Sequence, residues 1–357
     1  MAHIIQTNIM TSRLRMPLAP MEATTVDEVP VGPSWQYEPK WDGFRCLAFR
    51  RGKKVDLQSK SGKPLTRYFP EVTVELAKLK ADSFVLDGEI VISTGNRLSF
   101  NDLLMRIHPA ASRIKKLAES TPATYIVFDL LEDTGGPLAE DTLVGRRKAL
   151  EKFAKREFGR AERIVLSPAT RDLKVARRWF AAAGKALDGI IAKRTDVEYR
   201  SADRTGMQKI KRQQTADCVI GGFRYASKGR LVGSLLLGLY DDDGLLHHVG
   251  FTSNIARSEK SALTRKLEKL IAPPGFTGNA PGGPSRWSTK RSTEWEPLKP
   301  KLVVEVQYDH FTGGRFRHGT SFLRWRPDKA PRQCKMEQVE NRGAGPIKLL
   351  RQAAGAR

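Results

Sequence analysis

Lys40, Asp42, Gly43 and Arg45 fall within one hexapeptide, Lys40-Trp41-Asp42-Gly43-Phe44-Arg45, which sets a nucleophilic amine, a carboxylate, a flexible glycine and a phosphate-binding cation side by side. These are parts for nucleotidyl transfer. A primary amine attacks the α-phosphate of a nucleotide only when unprotonated, so such a site must lower the lysine pKa by burial and by cations such as Arg45 and a bound metal. Trp41 and Phe44 are the expected source of that burial. Taken alone, such a run is more often an ordinary strand and turn than a catalytic motif.

Positioning these groups requires a sheet. Runs rich in β-branched and aromatic residues recur at Phe84 to Ile92, Thr124 to Leu131 and Gly189 to Lys193, separated by segments of helical period. Leu150, Phe153 and Ala154 share one helical face, and Leu173, Ala176 and Phe180 share another. Lys209 and Lys211 alternate along a strand, so both project to one face. The character changes near Gln213 to Ala216. Beyond it, Cys218 to Arg224, Leu231 to Tyr240, Leu245 to Gly250, Leu302 to Tyr308 and Ser321 to Arg326 give about five strands, the inventory of an OB-fold or another small barrel. One helix, marked by Leu263, Leu267, Leu270 and Ile271, is stopped by Pro273-Pro274. Asp241-Asp242-Asp243-Gly244 is a hairpin turn, and Pro273 to Ser285 is expected as a mobile surface loop. The fold class is therefore α+β in two domains, a mixed α/β domain over 1–214 and a β-barrel over 215–335. A basic tail over 336–357 follows, with a short helix around Pro346 to Ala353.

Order along the chain adds weight to the hexapeptide. It is followed by Ser59-Lys60-Ser61-Gly62, Val85-Leu86-Asp87-Gly88-Glu89-Ile90, Tyr125-Ile126-Val127-Phe128-Asp129, Asp188-Gly189-Ile190-Ile191-Ala192-Lys193, Lys209-Ile210-Lys211 and Arg324-Trp325-Arg326-Pro327-Asp328-Lys329. From about Pro17 to about Pro331 the chain resembles the ATP-dependent DNA ligases, within the covalent nucleotidyltransferases that also include RNA ligases and mRNA capping enzymes. Leu18-Ala19-Pro20-Met21 and Leu235-Leu236-Leu237-Gly238-Leu239-Tyr240 resemble the compact bacterial end-joining and repair type.

The resemblance implies an adenylation domain followed by an OB-fold, and a lysine, here Lys40, that is adenylated by ATP. The adenylate passes to a 5′-phosphate at a nick, and a 3′-hydroxyl then displaces AMP. Storing the adenylate as a phosphoramidate splits one hard displacement into easier steps. Arg45, Lys209 and Lys211 join Lys40 as catalytic residues. Glu38, Lys60, Glu89, Phe128 and Lys193 line the nucleotide, with Phe128 stacking on adenine; an aromatic in an apolar strand is otherwise core. Arg326 and Lys329 orient the leaving pyrophosphate, which requires domain closure. Mg2+ or Mn2+ is implied by carboxylates facing a triphosphate, with Glu89, Asp188 and Asp42 as candidate ligands; Asp42 has the alternative of orienting Lys40. The sequence departs from the family at Asp188, where glutamate is usual, at Lys60, where arginine is usual, and at Met207, where tryptophan is common. Aspartate reaches less far toward a metal, and lysine lacks bidentate geometry.

Composition agrees. The 357 residues carry 62 basic and 39 acidic side chains, a formal net charge of +23, which points to a polyanionic partner. Nicked duplex DNA is the expected one, gripped by the two-domain cleft and its positive field, with a Ku-like end-binding protein as a candidate recruiter. An anionic membrane is the rival for that charge, but no long apolar span or compact basic amphipathic helix is present. Cys46, Cys218 and Cys334 have no paired spacing, so neither zinc nor a disulfide framework is expected. No secretory signal is read at the N-terminus, and a monomer in a reducing bacterial cytoplasm, used at the nucleoid, fits. Two alternatives stay open: an RNA ligase or GTP-using capping enzyme with the same lysine chemistry, and a non-catalytic DNA-binding module of the same fold.

Overall fold

A computed structural model describes residues 14–95, 97–181, 187–282 and 294–340. The chain divides into two compact units, one running through Lys211 and the other starting at Arg212. Mixed helix and sheet in the first and a β-barrel in the second make this an α+β protein of two domains.

The first unit is built on two sheets. In the larger, Lys54–Ser59, Phe44–Arg51, Ser83–Thr94 and Ala123–Asp133 pair antiparallel in that order, and Ile164–Leu166 adds parallel to the last. Period-2 alternation splits its strands between two faces. Cys46, Ala48, Phe84, Leu86, Tyr125 and Val127 meet the helices Pro70–Ala77 and Leu143–Glu157 in one core. As the helical period requires, Leu150, Phe153 and Ala154 are the buried face of the second helix. Leu47, Phe49 and Val85 point the other way and pack with Met21, Tyr199 and Met207.

The smaller sheet has the order Thr24–Val26, Met207–Ile210, Gly189–Arg194, Trp35–Lys40. Tyr37, Ile190, Ala192 and Ile210 form its apolar side, closed by Ala176 of the helix Leu173–Ala181. Pro39 is tolerated because Trp35–Lys40 is the edge strand of the sheet. The opposite side is polar.

The second unit is a closed barrel. Its strands Gln214–Tyr225, Val232–Tyr240, Leu246–Thr252, Val303–Tyr308 and Ser321–Trp325 pair first to second, second to third, first to fourth and fourth to fifth. A bridge between Thr252 and Thr320 completes the circuit from third to fifth. That is the OB arrangement. Asp241 to Gly244 form the expected hairpin turn, with Gly244 at φ +77° and the Leu245 amide donating to Asp241 Oδ1 at 2.8 Å.

Three expectations need correction here. The helix Lys260–Glu268 ends before Leu270 and Ile271; the latter instead bridges to Leu298. The segment from Pro273 is not a free surface loop over its described part. Phe276 is buried against Gly221 and Gly238, and the His248 amide donates to Asn279 O at 2.7 Å, so the segment plugs the barrel. Met336 and Val339 pack on the barrel core, so the described start of the C-terminal stretch is anchored. The helix read around Pro346 to Ala353 lies outside the described residues.

Candidate active site

The pocket lies in the first unit, between the polar side of the small sheet and the central strands of the large one. It is a cavity of about 240 Å³. Cross-strand register builds its floor. Lys40 opposes Gly189, Glu38 opposes Ile191, and Ile191 opposes Lys209; Lys193 opposes Met207. Residues in one cross-strand row point the same way, so Glu38, Lys40, Lys193 and Lys209 converge. Arg45 and Glu89 face each other on adjacent strands of the large sheet, and Phe128 joins them from the third.

Lys40 ends its strand with its ammonium hydrogen-bonded to Asp188, and Lys211 Nζ lies 3.3 Å from the same carboxylate oxygen. Asp188, read from sequence as a metal ligand, is engaged by two lysines. It holds the Lys40 ammonium, the place the sequence reading offered to Asp42. Trp41 lines the pocket and is buried, its indole donating to Ser167 Oγ at 3.0 Å. Phe44 does not shield Lys40. Alternation turns it to the far core, edge-on to Phe69 and Phe100. Gly43 serves proximity rather than flexibility: a Cβ there would sit 2.2 Å from the Ile90 carbonyl oxygen and 2.9 Å from Glu89 Cγ.

Most cations of the pocket are paired. Arg45 makes a two-pronged contact with fully buried Asp87, Nε to Oδ1 at 2.5 Å and Nη2 to Oδ2 at 2.6 Å, and its guanidinium lies 4.5 Å from the Phe128 ring centre. Lys193 Nζ is 2.8 Å from Glu38 and 4.5 Å from the same ring centre. Lys60 meets Glu22 at 3.1 Å, an anion that Arg204 shares at 2.8 Å. Lys209 differs. Among the described residues it has no carboxylate partner, and burial, followed by the charges of Lys211, Lys40, Lys60 and Arg204, holds its ammonium below the usual lysine value. Among the described cations that line the pocket it alone meets no carboxylate.

Glu89 shows the converse. Burial, the largest cause, pushes its carboxyl up to about 7, with Asp42 and Asp87 helping and Lys40 and Arg45 opposing. A divalent cation suits such a group, because ionisation is what the site withholds. Among the described residues no cluster of three or more His, Cys, Asp or Glu forms a metal cage. A cation here fits Glu89 together with substrate phosphate oxygens and water, the usual habit of magnesium.

Arg326 and Lys329 belong to the second unit. Arg326 Nη1 lies 2.7 Å from Asp217 Oδ1, and Lys329 Nζ lies 2.6 Å from Asp217 Oδ2, so one carboxylate spaces both cations. Arg326 also contacts Asp328 at 2.8 Å. Sequence reasoning missed Asp217, Glu22 and Tyr199, and gave Asp87 no task. Only Asp87 carried a local signal, standing two residues before Glu89 on the same side of one strand.

With this geometry in hand, likeness to known proteins is specific. Residues 20–211 match the model of the ATP dependent DNA ligase domain, and residues 228–329 that of the ATP dependent DNA ligase C terminal region. DNA ligase C2 of Mycolicibacterium smegmatis is 44% identical over 346 residues, covering 91% of this chain and 95% of the relative. DNA ligase C of Mycobacterium tuberculosis is 41% identical over 344 residues, covering 91% and 94%. The multifunctional non-homologous end joining DNA repair protein LigD of the same species is 30% identical over 329 residues, covering 90% of this chain but 40% of that longer protein. A solved Lig E DNA ligase structure shares the fold, with a TM-score of 0.52, 15% identity and coverage of 87% and 100%. The ordered motifs, the lysine-lined pocket and both matched domains place this chain in the family of ATP-dependent DNA ligases.

Proposed function

We propose that the chain seals 5′-phosphate/3′-hydroxyl nicks in duplex DNA, using ATP, through a Lys40-AMP intermediate and a DNA-adenylate. The observation that carries this reading is the pairing pattern of the pocket. Arg45 and Lys193 each pair with a carboxylate, Lys40 and Lys211 share Asp188, and Lys60 shares Glu22 with Arg204, whereas among the described residues Lys209 has none and awaits an anion.

In the first step Lys40 Nζ attacks the α-phosphorus, the N–P bond forms, and the bond to pyrophosphate breaks. The proton that the ammonium must lose has a ready acceptor in Asp188. Lys209 and Lys211 balance charge on the α-phosphate, Arg45 and Lys60 serve sugar and phosphate, and Glu38, Lys193 and Phe128 hold the base end. Arg326 and Lys329 orient the departing pyrophosphate. A divalent ion held through Glu89, when bound, neutralises phosphate charge. In the second step the 5′-phosphate displaces Lys40 from the adenylate, and in the third the 3′-hydroxyl displaces AMP. Each transfer is in-line, and the protein contributes positioning and charge.

Mass spectrometry after incubation with ATP and Mg2+ tests the reading. Wild type should gain one adenylate on Lys40, and Lys40→Ala should gain none while still binding duplex. An adduct on another residue, or an unaltered adduct in Lys40→Ala, overturns it. Labelled GTP should not substitute, which separates a DNA ligase from a capping enzyme. Work in repair and end joining is supported by the likeness to the LigD end-joining proteins. We extend the reading to a monomeric enzyme of the bacterial cytoplasm, used at the nucleoid, and to recruitment by a Ku-like protein. Sedimentation and end joining with and without that protein test these points. Among the described residues no helix is long and apolar enough to cross a membrane.

A further inference from the structure

Tyr199 lies beyond every motif that drew attention in the sequence, yet its hydroxyl sits at the junction of the pocket wall. It donates to Asp87 Oδ2 at 2.6 Å and accepts from the Met21 amide at 3.0 Å. Asp87 is fully buried, and its two oxygens are shared between Tyr199 and the Arg45 fork. Arg45 Nη2 also reaches the Met21 carbonyl at 3.3 Å. The network therefore closes on both backbone groups of Met21, in the segment Pro20 to Ala23 that lines the pocket. On the far side, the Tyr199 ring carries the guanidinium of Arg146 at 5.6 Å, and Arg146 is locked in a buried pair with Asp129.

A guanidinium has five N–H groups. Asp87 and Met21 use Nε and Nη2, and the Phe128 ring covers one face. Among the described residues Nη1 has no protein partner, so Nη1 is the donor that Arg45 presents to a ligand. Where it points depends on how firmly Asp87 is held. An unrestrained carboxylate would follow the arginine; one tied to a second donor fixes it.

We propose that Tyr199 is a positioning residue for nucleotide binding: through Asp87 it fixes the guanidinium of Arg45, and through the Met21 amide it fixes the wall segment Pro20 to Ala23. The inference rests on the reading that this pocket takes ATP. It assigns Tyr199 to capture of the nucleotide rather than to the chemical step, because the residue touches no reacting atom.

Tyr199→Phe removes the hydroxyl and keeps the ring on Arg146. Single-turnover self-adenylation with ATP and Mg2+ should show the ATP concentration for half-maximal rate raised about tenfold, with the maximal rate within about threefold of wild type, the pattern of lost binding. Arg45→Lys alone, and combined with Tyr199→Phe, completes a cycle. If Tyr199 acts through Arg45, the double variant should be little worse than Arg45→Lys. Additive losses, or a lowered melting temperature with an unchanged ATP dependence, would reduce Tyr199 to a packing role and overturn the proposal. Wild type run in parallel separates the two levels: if it forms no Lys40 adenylate, the functional reading fails first.

Discussion

Lys193 and Glu38 stand 2.8 Å apart on neighbouring strands, both buried, beneath the ring of Phe128. Removing one partner strands the other charge in a water-poor floor. Glu38→Leu and Lys193→Met should each cost about 3–5 kcal/mol in denaturant unfolding, and the two changes together should cost less than their sum. Additive losses would show that the pair does not act as a unit.

Gly43→Ala tests proximity. Its Cβ would collide with the Ile90 carbonyl, which is backbone and cannot step aside. We expect a stability loss of about 1–3 kcal/mol and slower Lys40 adenylation, because the strand bearing Glu89 must be pushed away. A variant as stable and as fast as wild type would show that the close approach of Gly43 to Ile90 matters to neither fold nor chemistry.

That residue also shows how much of the site was legible in the sequence. Alternation along Met207–Ile210 was enough to send Lys209 toward the pocket, since period 2 is a local property, whereas Lys211 lies one residue past the strand's end and reaches the site through Asp188. Lys40, Trp41 and Arg45 of the hexapeptide line the pocket, but the same alternation, applied to Phe44, would have turned it away from Lys40. Pairing partners were not legible. Asp188 is 148 residues from Lys40, and Tyr199 is 112 from Asp87. Only the pairing of strands brings them together. The barrel was readable from its strand spacing, whereas the burial of Phe276 inside a proline- and glycine-rich segment was not, because composition there imitates a surface loop.

Asp217→Asn keeps the shape of the residue that spaces Arg326 and Lys329 but removes its charge. Self-adenylation should fall about tenfold or more, while sealing of a nick supplied already adenylated should stay within about twofold, since that step makes no pyrophosphate. Equal losses in both assays would mean that the carboxylate serves the barrel as a whole.

His248 supplies a pH signature. Burial first, then the charges of Arg315 and Arg224, pulls its imidazole down to about 3, and Arg315 Nη2 donates to its Nδ1 at 3.0 Å. Between the ordinary 6.5 and about 3 the unfolded chain binds a proton that the folded one refuses, so stability present above pH 6.5 drains away as pH falls through that window. The contribution is about 2–4 kcal/mol at neutral pH. Relative to His248→Phe, wild type should lose its advantage on acidification; a gap constant with pH would show that the ring takes up its proton alike in the folded and the unfolded chain.

The Thr252–Thr320 bridge seals the barrel through the very strand, Ser321–Trp325, that leads into Arg326. Cutting the chain ahead of that strand would strip a stave from the barrel and leave Val303–Tyr308 with an open row of backbone donors and acceptors, an adhesive seam for other chains. Solubility and catalytic equipment are thereby soldered into one piece of polypeptide. Deletion experiments on the last motif will report clumping before they report chemistry, and single-residue replacement is the cleaner instrument.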